Sequence, residues 1–199
     1  MIGQTVPHYK VIEKLGGGGL ALDQSVATVP DAALAQVLCG EEGPALKEIE
    51  RLAAQAPANT LVNDVYLPEV KAAAALLQHH PERVAELLTS AAAYLLVTKA
   101  PHLLGRASLA TKHAQQAVMD FEPGIRYRGA ALGEGSTGAP QAPDYTLCLL
   151  GTARAQAQFD TPAAMRSYQR LLEIWKNADA DFVPAQEAKR EMAALQGSS

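Results

Sequence analysis

Apolar residues recur at steps of three and four along most of the chain, a spacing that places them on one face of an α-helix. Proline, glycine, asparagine and aspartate interrupt this pattern at short intervals, so it predicts successive helices joined by turns. The predicted helices run from Asp31 to Leu38, from Gly43 to about Ala56, from Thr60 or Asn63 to about Gln78, from Pro81 to about Leu95, from His102 to Leu109, from Thr111 to Phe121, from Asp144 to Ala157, from Ala164 to Trp175 and from Val183 to Leu195.

These helices group into pairs of helix, short turn and helix, with a period of about 35 residues. The last helix, which begins at Val183, has no partner and is expected to cover the apolar face of the pair before it. The pattern therefore predicts an all-α fold, in which helical hairpins stack as a short solenoid that ends in a C-terminal capping helix.

At three places, prolines and glycines are expected to change the predicted helical pattern. Pro68 lies inside a predicted helix and is expected either to begin its regular part or to kink it. Pro123 and Gly124 are expected to interrupt the third pair. Residues 129–143 hold four glycines and two prolines, so this segment is expected to be a loop or partly disordered.

The composition, charge and apolar stretches of the chain indicate which class of protein to expect. The chain has 199 residues, of which 48% are hydrophobic, many of them alanine, and only 5% are aromatic, which suits closely packed helices. A net charge of −4 gives no reason to expect nucleic-acid or membrane-surface binding. The longest apolar stretch, residues 87–97, is too short to span a bilayer, and the N-terminus lacks the pattern of a signal peptide. We therefore expect a cytoplasmic protein with no membrane partner.

Residues 1–25 differ from the rest of the chain, because they are polar and rich in glycine. A short lead precedes an expected strand, Tyr9 to Leu15, and four glycines follow it, Gly16 to Gly19. This order resembles the start of bacterial eukaryotic-like serine/threonine protein kinases, in which a glycine loop lies over the phosphates of ATP. The resemblance implies that residues 1–25 are a remnant of that first strand and glycine loop, and the four glycines favour flexibility.

The remainder of the kinase signature is missing. Gly16 and Gly18 fit the first two glycine positions, but Ala21 and Asp23 stand where the third glycine and the valine belong. No Val-Ala-Ile-Lys, His-Arg-Asp or Asp-Phe-Gly sequence occurs in this chain. A nucleotide site also needs that lysine and the metal-binding acids, so Gly16 and Gly18 are only a weak cofactor-binding candidate. No catalytic residue, cofactor or metal site is expected.

Residues 31–196 carry a second resemblance, to the tetratricopeptide-type tail that follows the kinase domain in large bacterial serine/threonine kinases. It rests on residues 59–68, 151–155 and 163–181. Ala164 and Tyr168 fit the small and aromatic positions of a repeat's second helix. The resemblance implies a helical repeat domain over residues 31–196, and both ends of the chain then point to one parent family whose catalytic middle is absent.

The resemblance implies a protein–protein interaction or scaffold module that binds a protein or peptide and has no catalytic activity. Two alternatives stay open: a kinase-related role that depends on the N-terminus and on another kinase chain, and a folded fragment without a function. In stacked hairpins a binding groove is lined mainly by the first helix of each pair. The polar or aromatic residues on or near those helices, which are the candidate partner-binding residues, are Asn63, Tyr66, Lys71, Arg106, Arg154 and Gln158.

Overall fold

A computed structural model of the chain describes residues 5–6, 9–10, 26, 28–94, 99–127 and 142–197. This part is helical apart from turns and one short strand pair, which confirms the predicted all-α class. The strands β1 (Thr5–Val6) and β2 (Tyr9–Lys10) are antiparallel, with Thr5 opposite Lys10. The α-helices are α1 (Val29–Leu38), α2 (Glu42–Gln55), α3 (Leu67–Leu77), α4 (Val84–Leu87), α5 (Ala100–Ala110), α6 (Ala114–Arg126), α7 (Ala142–Gln156), α8 (Thr161–Ile174) and α9 (Val183–Gly197).

Each helix packs mainly against its neighbours in the chain. α1 packs on α2 and α3, α5 on α6, α6 on α7, α7 on α8, and α8 on α9. An N-terminal apolar cluster is formed by α1 to α5 and a C-terminal cluster by α7 to α9. Between them lies a small cluster around the fully buried Phe121.

Three of the turns between helices share one backbone geometry. The second residue after the helix adopts a positive φ at Gly40 (81°), His79 (62°) and Lys112 (64°). In each case the next N–H donates to a carbonyl five residues back, over 2.8 Å, as from His80 to Ala75. This is the Schellman ending of a helix. The turns after α1, α3 and α5 therefore have the same form.

Pro68 lies within one continuous helical segment. The segment begins as a π-helix (Leu61–Tyr66) and continues directly as α3. Because proline has no N–H, it leaves the carbonyl of Asp64 without the bond that an α-helix would supply. The Ser90 hydroxyl donates to that carbonyl at 2.8 Å. The proline thus stands where the π-helix becomes regular, and a distant serine satisfies the freed acceptor.

The predicted helix from Pro81 to Leu95 is wrong as a single element. The chain forms a 3₁₀ turn (Pro81–Arg83), the short α4 and a second 3₁₀ turn (Ala91–Tyr94), and Leu95 lies outside the described residues. Thr89 and Ser90, which separate the pieces, bond to backbone carbonyls through their hydroxyls. Such bonds compete with the helical ladder.

The predicted interruption at Pro123 is also wrong, because α6 continues through it to Arg126. Pro123 lies in the last turn, where a missing N–H removes only one helical bond. The neighbouring Gly124 permits close packing: a Cβ at this position would lie 2.5 Å from Cys148 Sγ of α7.

Most of residues 1–25, including Gly16 and Gly18, and residues 129–141 of the predicted loop lie outside the described part of the chain.

Candidate functional site

A cleft of about 280 Å³ opens between α5 and α7 and reaches the end of α3. Three of its lining side chains can carry positive charge: His102 and Arg106 from α5, and Arg154 from α7. Most of the other lining residues are apolar, among them Leu109 and Leu147. The cleft thus combines an apolar wall with basic groups, an arrangement that suits a ligand with both kinds of surface.

The wall of the cleft is set by an aromatic side chain that lies between two glycines. Phe121 of α6 contacts Gly105 of α5 and Gly151 of α7, and a Cβ at either glycine would lie 2.4 Å or 2.3 Å from its ring. Any larger residue would push the helices apart. The glycines therefore allow α5, α6 and α7 to meet closely around one ring.

Arg154 is held in place by the C-terminal helix. Its guanidinium donates to Glu187 at 2.8 Å and to both oxygens of Glu191 at 2.8–3.1 Å. The Tyr168 hydroxyl donates to the same Glu191 carboxylate at 2.8 Å. Burial alone would raise the pKa of Glu191, but the bonds from Arg154 and Tyr168 outweigh it and lower that pKa. The network fastens α9 to α7 and α8.

A second polar cluster lies where α5 begins. Lys99 Nζ donates to Asp31 at 2.8 Å, and the Lys99 backbone N–H donates to the buried Glu69. His102 Nδ1 lies 4.0 Å from Asp144 Oδ1. Burial raises the pKa of Asp144 to about 6, with Lys99 acting against the rise and Asp31 adding to it. This cluster connects α1, α3 and α7 to the His102 wall of the cleft.

The structure gives two of the predicted partner-binding residues an internal role. The Asn63 amide donates to the carbonyls of Ala56 and Asn59, at 2.9 Å and 2.8 Å, and so holds the turn that precedes the π-helix. Tyr66 is half-buried against the N-terminal cluster. Neither lines the cleft.

The other four predicted residues are divided among three places. Lys71 is partly exposed and pairs with Glu50 at 3.0 Å. Arg106 and Arg154 come together in the cleft. Gln158 is exposed in a different hollow, at the turns of two hairpins.

Sequence reasoning missed His102 in the wall of the cleft and the acids that hold Arg154 from outside it. In the sequence, His102 is only the first residue of a predicted helix, and nothing there indicates a role in a cleft. Glu187 and Glu191 are four residues apart in the last helix, so they share a face, and this pair of acids could have indicated a basic partner. No local signal pairs Lys99 with Asp31, because the contact depends on the tertiary fold.

Within the described part of the chain, no three His, Cys, Asp or Glu side chains are placed to hold a metal ion together. None of the described helices is both long enough and apolar enough to cross a membrane. Comparison with protein-family models, curated proteins and solved structures found no match.

Proposed function

We propose that the chain is a non-catalytic protein-interaction module built from helical hairpins of tetratricopeptide type. The observation that carries the proposal is a correspondence between consecutive hairpins. Phe121, in the second helix of α5–α6, contacts α5 and the next helix, α7. Tyr168, in the second helix of α7–α8, packs with α7 and bonds to Glu191 of the next helix, α9.

α9 thus takes the place that the first helix of a further hairpin would take. Its buried residues, such as Ala188, face the preceding pair, while Lys189, Arg190, Ala193 and Ala194 are exposed. This is the arrangement expected of a helix that ends a repeat array.

The cleft supports an interaction role because it is lined mostly by α5 and α7, the first helices of their hairpins. In stacked hairpins, this is the surface that remains open to a protein or peptide. We therefore place the partner in this cleft, against Arg106 and the apolar wall.

A relationship to the tails of bacterial serine/threonine kinases is proposed from the sequence resemblance alone. Catalysis is not part of the proposal, since phosphoryl transfer requires a lysine and acids that the chain lacks in motif context.

A photo-crosslinking experiment tests the proposal. Ala110, which is exposed and lines the cleft, is replaced by a photoreactive amino acid, and the full chain is irradiated in extract of its source cells. Lys189, exposed on α9, carries the same group in the control. We expect a discrete protein adduct from position 110 only, and we expect Arg106→Glu to weaken it. Identical adducts from both positions, or none, would contradict the proposal.

A further inference from the structure

A second hollow, of about 560 Å³, lies at the turns of the two consecutive hairpins α5–α6 and α7–α8. Met119 and Phe159 line it and are unusually exposed, at 60% and 50%. Single exposed apolar residues are common, but two large ones that face one hollow indicate a binding surface. We call this surface the tip patch; its lining residues are Lys112, His113, Ala114, Gln115, Gln116, Met119, Gln158 and Phe159.

The charge of the tip patch differs in sign from that of the chain. The described residues that line it include Lys112 and His113 and no carboxylate, whereas the chain as a whole has a net charge of −4. The two acids next to its apolar residues in sequence are bonded within the protein. Asp120 accepts from Ser108 and Gln116, and Asp160 accepts from the Ala163 N–H at the start of α8.

The backbone at Lys112 is also unusual. Its φ of 64° is a conformation in which glycine is usual and a lysine costs free energy. Of the two equivalent turns, the one after α1 has a glycine, Gly40, and the one after α3 has a histidine, His79. Lys112 therefore adds a positive charge to the tip patch, at a position where glycine would stabilise the turn more.

We propose that the tip patch binds an acidic peptide segment of another protein, one that carries a large apolar side chain next to its carboxylates. The apolar side chain would lie between Met119 and Phe159, and a carboxylate would pair with Lys112. The amides of Gln115 and Gln158 can donate to, and accept from, the peptide backbone. This surface is separate from the cleft between α5 and α7, so it goes beyond the function proposed above.

The test uses a phage library of random linear peptides, selected on the full chain. Recovered peptides are synthesised with a fluorescent label, and their affinity is measured by fluorescence anisotropy. The variants are Lys112→Glu and Phe159→Ser, with Lys189→Glu on α9 as the matched charge control. Arg106→Glu distinguishes this surface from the cleft. Circular dichroism confirms that each variant is folded.

We expect the selected peptides to combine Asp or Glu with Leu, Phe or Trp. Their affinity should fall about tenfold or more in Lys112→Glu and in Phe159→Ser, as for a central contact of an interface. Lys189→Glu and Arg106→Glu should leave it within about twofold of the parent chain.

Four results would overturn the proposal: no selected peptide, basic peptides, peptides that lose affinity only in Arg106→Glu, or self-association of the chain that Phe159→Ser abolishes. The third would leave the cleft as the peptide site, and the fourth would identify a second copy of the chain as the occupant.

Discussion

The Phe121 ring fills the space that Gly151 leaves free: a Cβ at Gly151 would lie 2.3 Å from Phe121 Cζ. The same ring also meets Gly105, where a Cβ would lie 2.4 Å from Phe121 Cδ1. One aromatic residue and two glycines therefore fix the separation of α5, α6 and α7, and with it the shape of the cleft.

Replacement of Gly151 by alanine should destabilise the protein by about 1–3 kcal/mol, because the added methyl group overlaps the Phe121 ring. Gly43→Ala in α2 is the matched control, since a Cβ there meets nothing within 4 Å. Alanine favours a helix, so the control should be unchanged or up to about 1 kcal/mol more stable. Urea unfolding followed by circular dichroism measures both. Equal stability of the two variants would contradict the packing described here.

His79→Gly should stabilise the protein by about 1 kcal/mol, because glycine adopts the positive φ of 62° without a steric cost. Gly40→Ala is the reciprocal change at the equivalent turn, where φ is 81°, and it should destabilise by a similar amount. Thermal unfolding of both variants gives the sign of each effect. If His79→Gly were less stable than the parent chain, the imidazole would stabilise the folded state by more free energy than its positive φ costs.

Tyr168→Phe should cost about 1–2 kcal/mol, because it removes the donor to the ionised Glu191. Tyr145→Phe is the control: its ring lies under the Arg170 guanidinium, a contact that phenylalanine retains. The folded state lowers the pKa of Glu191. The stability that this carboxylate adds is therefore present above its ordinary pKa of 4.5, and it is lost as pH falls through the lower pKa of the folded state. The difference between the two variants should therefore shrink in acid. Equal free energies of unfolding for Tyr168→Phe and Tyr145→Phe at pH 7 would show that the Tyr168–Glu191 bond does not stabilise the fold.

Asp144 should make the protein less stable as pH rises. Its folded pKa of about 6 lies above the ordinary 3.8, so the folded state binds the proton more tightly. The associated stability is present below pH 3.8 and is lost as pH rises through about 6, a change on the order of 3 kcal/mol. Asp144→Asn should abolish this dependence between pH 4 and pH 7.

The measurement is the urea midpoint of both proteins at several pH values in that range. Cys148 lies close to Asp144 but stays protonated throughout, because burial raises its pKa well above neutrality. If the parent chain and Asp144→Asn lose stability in parallel, the dependence belongs to another group.

The helices themselves could be predicted from the sequence, because apolar spacing and turn residues act locally. α2 begins one residue before the expected Gly43, and α9 begins at the expected Val183. The single helix predicted from Pro81 to Leu95 is wrong where a tertiary contact decides. The Ser90 hydroxyl donates to the carbonyl of Asp64, a residue 26 positions away in sequence.

The candidate site was predictable only in part. Arg106 and Arg154 were expected on the open face and do share a cleft, but Asn63 serves its own turn. Trp175, the last residue of a predicted helix, is only partly buried and packs edge-to-face on Phe182, with 5.2 Å between the ring centroids. Residue type and spacing indicate which face a side chain occupies, but the partner that meets it depends on the packing of other helices.

Hydrogen exchange tests the central claim, that the hairpins stack in sequence and α9 closes the end. Ala188 of α9 is fully buried, so Ala188→Asp should detach this helix from α7 and α8. Ala193→Asp places the same residue on an exposed position of the same helix and is the control. In a stacked array each unit depends on its neighbours alone. We expect Ala188→Asp to lower the protection of α7, α8 and α9 and to leave α1, α2 and α3 as in the control. A uniform loss of protection in all helices would contradict the stacked arrangement.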